Sequence, residues 1–149
     1  MRLTEAQAEE LVKNSKCRIR GDLKPSKKGR VSSRKIHFDG LMFDSRIEMD
    51  VYREYKIDPD VVILETQPVF LLQAGFSRNG KKYRPISYKA DFLIKEKGVE
   101  IVVEVKSEGT LRANAKSYPM RKKMFLKKFP ELLFREIIFK GKRRIVNDL

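Results

Sequence analysis

The chain has 149 residues, the size of one ordinary domain, which excludes a large multidomain enzyme. Hydrophobic residues make up 41% of it and charged residues 36%, enough apolar side chains for one core and too many for a wholly disordered chain. With 34 Lys and Arg against 20 Asp and Glu the formal charge is +14, and a surface of that sign attracts polyanions, nucleic acid first and an anionic membrane second.

Thr4 to Asn14, with an apolar series of the preceding Leu3 and of Ala6, Ala8, Leu11 and Val12, predicts a short N-terminal helix. Ser15 to Lys35 is polar and interrupted by Gly21, Pro25 and Gly29, and reads as a basic arm. Ile36 to Phe43 holds an Asp39-Gly40 pair between apolar runs, the favoured hairpin turn. A helix then opens at Asp44-Ser45, runs to about Lys56 and stops before Asp58-Pro59.

Val61 to Leu72, Tyr83 to Ile94 and Val99 to Lys106 are rich in β-branched and aromatic residues and predict three strands in one antiparallel meander. Tyr118-Pro119 starts another helix, with Met120, Met124 and Phe125 inward and Arg121, Lys122, Lys123, Lys127 and Lys128 largely outward, and Pro130 ends it. Leu132 to Phe139 reads as a fourth strand, free to lie parallel to its neighbour because a helix joins them. The expected class is α/β, with residues 1–35 as helix and arm and residues 36–149 as the core domain.

Some chemistries are excluded at once. No stretch approaches the roughly 20 apolar residues of a membrane span, and Met1-Arg2-Leu3-Thr4-Glu5 lacks the apolar segment of a secretory signal. A soluble, cytoplasmic protein is expected, without membrane association. Cys17 is the single cysteine and His37 the single histidine, which rules out a disulfide framework, a thiolate cluster and His-rich zinc sites. Any metal must be held by oxygen.

The charge is unevenly spread. Residues 14–35 hold nine basic and one acidic residue and residues 112–149 twelve basic and three acidic, whereas residues 36–111 hold eleven basic and thirteen acidic. Carboxylates weaken polyanion binding unless they have another task, and holding a metal beside a phosphate is such a task. Arg18, Arg20, Lys27, Lys28, Arg30, Arg34 and Lys35 on the arm, with Lys116, Arg121 and Lys122 at the helix that starts at Tyr118-Pro119, are the candidate phosphate contacts. No helix-turn-helix or zinc-finger pattern for base readout is visible.

Four residues stand apart from this surface: Glu48, Asp91, Glu104 and Lys106. Glu104 and Lys106 share one face of their strand by its period of two. If the second and third strands pair through the turn at Lys95 to Gly98, Asp91 lies at a comparable distance from it. On a helical wheel Glu48 falls inside the stripe of Ile47, Val51, Tyr52 and Tyr55, where a carboxylate needs a cation or hydrogen-bond donors. Ser45-Arg-Ile-Glu48 equally fits a capping box, with Glu48 folded back on the helix start. Three carboxylates suit Mg²⁺, with Mn²⁺ as a substitute, and a lysine beside them suits phosphodiester hydrolysis. Glu65 and Gln67 could touch substrate or simply line a solvated strand face.

In these residues the sequence resembles the PD-(D/E)XK nuclease superfamily, whose restriction-endonuclease-like core runs helix, three antiparallel strands, helix, strand. Ala90-Asp91 stands where that family has Pro-Asp, Glu104-Val105-Lys106 reads as its (D/E)XK, and Glu48 as the acidic residue of its first helix. The resemblance covers about residues 36–139, and Ala90 in place of proline is its departure. It implies that Asp91, Glu104 and the Val105 carbonyl ligate the metal, that Glu48 completes the site and that Lys106 serves the water or the transition state. The spacing is similar to small archaeal and phage Holliday-junction resolvases. That implies a homodimer cutting branched DNA in a bacterial or phage-infected cell, with no small-molecule cofactor. The rival readings are a nuclease of the same fold acting on nicks, flaps or ends, a non-catalytic DNA-binding accessory protein, and, last, a peripheral membrane protein.

Overall fold

The computed structural model describes residues 35–149. The expected N-terminal helix and all but the last residue of the basic arm, with Cys17, Arg18, Arg20, Lys27, Lys28, Arg30 and Arg34, lie outside the described residues. Asp39-Gly40 makes the turn it predicts. β1 (Ile36–Phe38) pairs antiparallel with β2 (Leu41–Phe43), Phe38 opposite Leu41, and both turn residues have positive φ, 53° and 74°. Tyr52 Oη and Lys56 Nζ donate to Asp39 Oδ2 at 2.8 and 2.6 Å and pin this turn to the next helix. That helix, α1 (Arg46–Ile57), buries Glu48, Val51, Tyr52 and Tyr55, the arc that the wheel turns inward.

The chain continues through β3 (Val61–Thr66), β4 (Val69–Gln73), β5 (Phe76–Arg78), β6 (Lys81–Tyr83), β7 (Ile86–Lys89), β8 (Phe92–Glu96) and β9 (Val99–Ser107). After α2 (Glu108–Ala113) and α3 (Ser117–Lys128) come β10 (Leu133–Lys140) and β11 (Arg143–Asp148). The main sheet has the order β11-β10-β9-β8-β3. β3, β8 and β9 form the expected antiparallel meander, and β10 lies parallel to β9.

The strand expected over Val61 to Leu72 is broken into β3 and β4, and the one expected over Tyr83 to Ile94 into the end of β6, β7 and β8. Gln67 takes φ 55° and the buried Pro68 follows, so the chain turns out of the main sheet as the separate β4–β7 ladder. Main-chain bonds carry across the break, from Gln67 N–H to the Asp91 carbonyl at 2.8 Å and from Ala90 N–H to the Pro68 carbonyl at 3.0 Å. The β5–β6 hairpin, α2 and the edge strand β11 are additions to the elements expected from the sequence.

Period two along β9 divides the core between the two faces of the sheet. Ile101, Val103 and Val105 join Val51, Tyr52 and Tyr55 of α1. Val102 joins Phe125 of α3, Phe134 of β10 and Leu72 and Tyr88 of the β4–β7 ladder. The sheet is therefore covered on both sides. Met120, expected inward, is 54% exposed, because it stands two residues and about 200° round the helix from the buried Tyr118. Phe125 is fully buried as expected. No helix among the described residues is long and apolar enough to cross a membrane.

Candidate active site

β8 and β9 are joined by Lys97-Gly98, both at positive φ, which sets Glu96 opposite Val99 and carries the register to Phe92 opposite Val103. One step further Asp91 comes beside Glu104. Asp91 N–H donates to the Val103 carbonyl at 3.1 Å, and Asp91 Oδ2 accepts from Val105 N–H at 2.6 Å. The aspartate side chain thus takes up a strand amide at the end of the ladder, which holds its carboxylate against β9.

Glu104 and Lys106 point away from the α1 core, opposite to Val103 and Val105. Glu104 is only 2% exposed, and both of its oxygens are occupied. Lys106 Nζ pairs with Oε1, and Tyr88 Oη donates to Oε2. Glu48 approaches from the start of α1. Its Oε1 accepts from Ser45 Oγ at 2.9 Å and its Oε2 from Asp44 N–H at 3.2 Å, while Glu48 N–H donates to Ser45 Oγ at 3.3 Å. The capping role and the place at the cluster, posed as alternatives from the sequence, coexist in one side chain.

The four groups share one electrostatic environment. Burial pushes the Asp91 carboxyl well above its ordinary range, and the charges of Glu104 and Glu48 push it further. Burial likewise raises Glu48 and Glu104, with Ser45 and Asp44 opposing it at the first and Lys106 and Tyr88 at the second. At Lys106 burial disfavours the ammonium, yet Glu104, Asp91 and Glu48 outweigh it and raise the pKa, so the lysine stays charged. Three carboxyl groups thus gather around one ammonium inside a strongly basic protein.

A second group lies behind this one and is absent from the sequence reading. Parallel pairing of β9 and β10 sets the buried Glu136 beside Glu104. Tyr118 Oη donates to Glu136 Oε1 at 2.5 Å and Lys122 Nζ to Glu136 Oε2 at 2.6 Å, while Lys106 Nζ stands 5.1 Å from the centre of the Tyr118 ring. Lys122, read as an outward phosphate contact, is instead turned onto this buried carboxylate, because Glu136 requires a cation there. The available signal is a carboxylate inside the apolar run Leu132 to Phe139.

The remaining candidates scatter. Lys35, Lys116 and Arg121 are exposed, with Lys116 at the N-cap of α3. Lys128, read as outward, donates to the carbonyls of Leu71 and Leu72 at 2.6 and 3.3 Å. Glu65 is exposed, and Gln67 Nε2 donates to the Met42 carbonyl at 3.2 Å, which holds the hairpin at residues 36–43 against β3. His37 is exposed, as expected of a hairpin residue.

Among the described residues no group of three His, Cys, Asp or Glu stands ready to enclose a metal ion. The carboxylates are directed at Lys106, Tyr88, Ser45 and two main-chain amides. The chemistry of the donor set nevertheless fits a hard divalent cation, since it offers only oxygen and carries mutual repulsion that such an ion would relieve.

A family model described as a protein of unknown function, DUF1064, matches residues 28–143. The chain belongs to the DUF1064 family. The match takes in all of Glu48, Asp91, Glu104 and Lys106 together with the supporting Tyr118 and Glu136. No curated protein matches. The chain is also similar to the crystal structure of SSO0001, at 20% identity and a TM-score of 0.44, over 68% of this chain and 48% of that one. It thus spans about half the length of that structure.

Proposed function

We propose that this chain is a metal-dependent DNA endonuclease of the PD-(D/E)XK type, acting on branched DNA such as a Holliday junction. The observation that carries this reading is the meeting of Asp91, Glu104 and Lys106 at one end of the β8–β9 hairpin with Glu48 from α1, Asp91 and Lys106 each within electrostatic reach of the other three. The run α1, antiparallel β3–β8–β9, α3, parallel β10 supports a restriction-endonuclease-like core.

Glu48, Asp91, Glu104 and the Val105 carbonyl would hold Mg²⁺, or Mn²⁺ in its place. When bound, the ion supplies a nucleophilic water at neutral pH and stabilises charge on phosphoryl oxygens. Val105 N–H fixes the Asp91 carboxylate, and Tyr88 orients Glu104. Lys106 keeps a positive charge where a phosphate would gain negative charge during in-line attack. Exposed Arg121 and Lys116 offer phosphate contacts near α3. Paired cuts in a junction require two such sites, hence a homodimer.

The test is cleavage of a labelled four-way junction and a linear duplex of the same sequence, in Mg²⁺ or EDTA. Symmetric metal-dependent cuts in the junction are expected, falling on the order of 100-fold or more in Glu104→Gln, which should still bind DNA. Equal cutting of nicked, flapped or linear substrates would redirect the substrate and keep the chemistry.

One observation favours a second reading. Glu48 and Glu104 already have their oxygens engaged by donors of the chain, as a purely structural ionic network would. A DNA-binding accessory protein without hydrolysis would cut nothing in either metal, and Glu104→Gln would then alter only stability.

A further inference from the structure

Between Glu65 and Asp91 the sequence has no acidic residue and five basic ones, Arg78, Lys81, Lys82, Arg84 and Lys89. This window lies inside residues 36–111, a segment where carboxylates outnumber cations. Four of the five cations cluster on the β5–β6 hairpin and just beyond it, and none of the four is ion-paired among the described residues.

The hairpin turns through Asn79-Gly80, both at positive φ, with Phe76 opposite Tyr83, Ser77 opposite Lys82 and Arg78 opposite Lys81. Period two then sets Phe76, Arg78, Lys81 and Tyr83 on one face and Ser77 and Lys82 on the other. The Phe76 and Tyr83 rings stack, with centroids 4.7 Å apart and planes 10° apart, and Lys81 Nζ lies 5.6 Å from the Tyr83 ring centre. These rings belong to neither core cluster, and remain 46% and 41% exposed. At the base of the hairpin a Cβ on Gly75 would meet the Tyr83 carbonyl at 3.1 Å and Pro85 at 3.2 Å, so the two strands close tightly there.

We propose that this face of the β5–β6 hairpin is a DNA-contacting surface, whose cations follow phosphates while the Phe76–Tyr83 pair offers a stacking platform to an unpaired base. The proposal rests on the DNA reading above and adds a contact remote from the carboxylates. Charge complementarity names a polyanion, and flat exposed rings beside the cations single out one whose bases can stack. The hairpin continues the β4–β7 ladder, whose Tyr88 holds Glu104. Eight residue steps lead from Gly80 to Tyr88, at most about 26 Å of extended chain, so contact falls within about eight nucleotide steps of the site.

The test uses the full chain in EDTA, with a fluorescent four-way junction, a linear duplex and an oligothymidine single strand as probes and anionic vesicles alongside them. Arg78→Ala with Lys81→Ala should weaken binding to all three nucleic acids, and flatten the dependence of log K on log salt by roughly 0.7–0.9 for each phosphate no longer neutralised. Phe76→Ser with Tyr83→Ser should cost about 5-fold or more on single strand and junction, and leave the duplex within about twofold. Should that pair unfold by circular dichroism, Tyr83→Leu keeps apolar cover without a stacking face and should show the same selective loss. Folded variants that bind every probe like the parent would overturn the proposal, as would weakened binding confined to the vesicles. A parent that binds these probes but cuts none in Mg²⁺ overturns the nuclease reading and leaves the hairpin contact standing.

Discussion

Asp91 shows how much one side chain carries. Its carboxylate accepts a strand amide and stands beside two other carboxylates, and burial with their charges raises its pKa above the ordinary 3.8. Between that value and the native one the folded protein keeps a proton that the unfolded chain has released, so stability falls as pH rises through this window and then levels off. In metal-free protein Asp91→Asn removes that dependence while leaving an oxygen for Val105 N–H. Its stability relative to the parent is expected to improve as pH climbs from about 4 and to reach a plateau, as thermal melts in EDTA would record. A difference that shrinks with pH would mean that the carboxylate is held by favourable charges. Glu48 makes a related point, because a residue read as either cap or ligand serves the helix start and the cluster together.

At the scale of elements, the turn between β8 and β9 governs the site, because it sets the register that brings Asp91 to Glu104. Lys97 sits in its first position at φ 49°, a conformation that asparagine tolerates better than lysine. Lys97→Asn is expected to stabilise the protein by about 0.5–1 kcal/mol without moving the site, seen as a higher urea midpoint at unchanged m-value. The elements legible in the sequence are those with local punctuation: the Asp39-Gly40 hairpin, α1 between Ser45 and Asp58, the Lys97-Gly98 turn, α3 ending before Pro130, and parallel β10. Asn79-Gly80 carries the same hairpin signal, but the strands beside it are too short and polar to stand out as strands. The breaks at Gln67 and Ala90-Asp91 have weaker local marks, since leaving the sheet there depends on bonds between distant segments. Of the site, Asp91, Glu104 and Lys106 follow from period and register, whereas Glu136 becomes visible only once β10 lies in parallel register beside β9.

For the whole molecule, the contrast between a basic protein and a cluster of three carboxylates leads to a ligand-linked prediction. A divalent cation that binds the folded state alone stabilises it by roughly 2.7 kcal/mol at 100 times its Kd, or about 5–10 °C in Tm for a chain of this size. Mg²⁺ or Mn²⁺ should therefore raise the melting temperature of the parent and not of Asp91→Asn, and equal melting of the parent in Mg²⁺ and EDTA would count against a metal site. The bonds from Gln67 to Asp91 and from Ala90 to Pro68 have a further consequence. They close the chain at the point where it leaves the main sheet, so everything from Val69 to Lys89 is topologically a loop whose two ends meet within the sheet. Lengthening such a loop costs only a logarithmic closure entropy. The stretch beyond Gly75 and Pro85 can therefore grow, shrink or change its face while the carboxylates keep their places, which makes the reach of the protein and its chemistry separately adjustable.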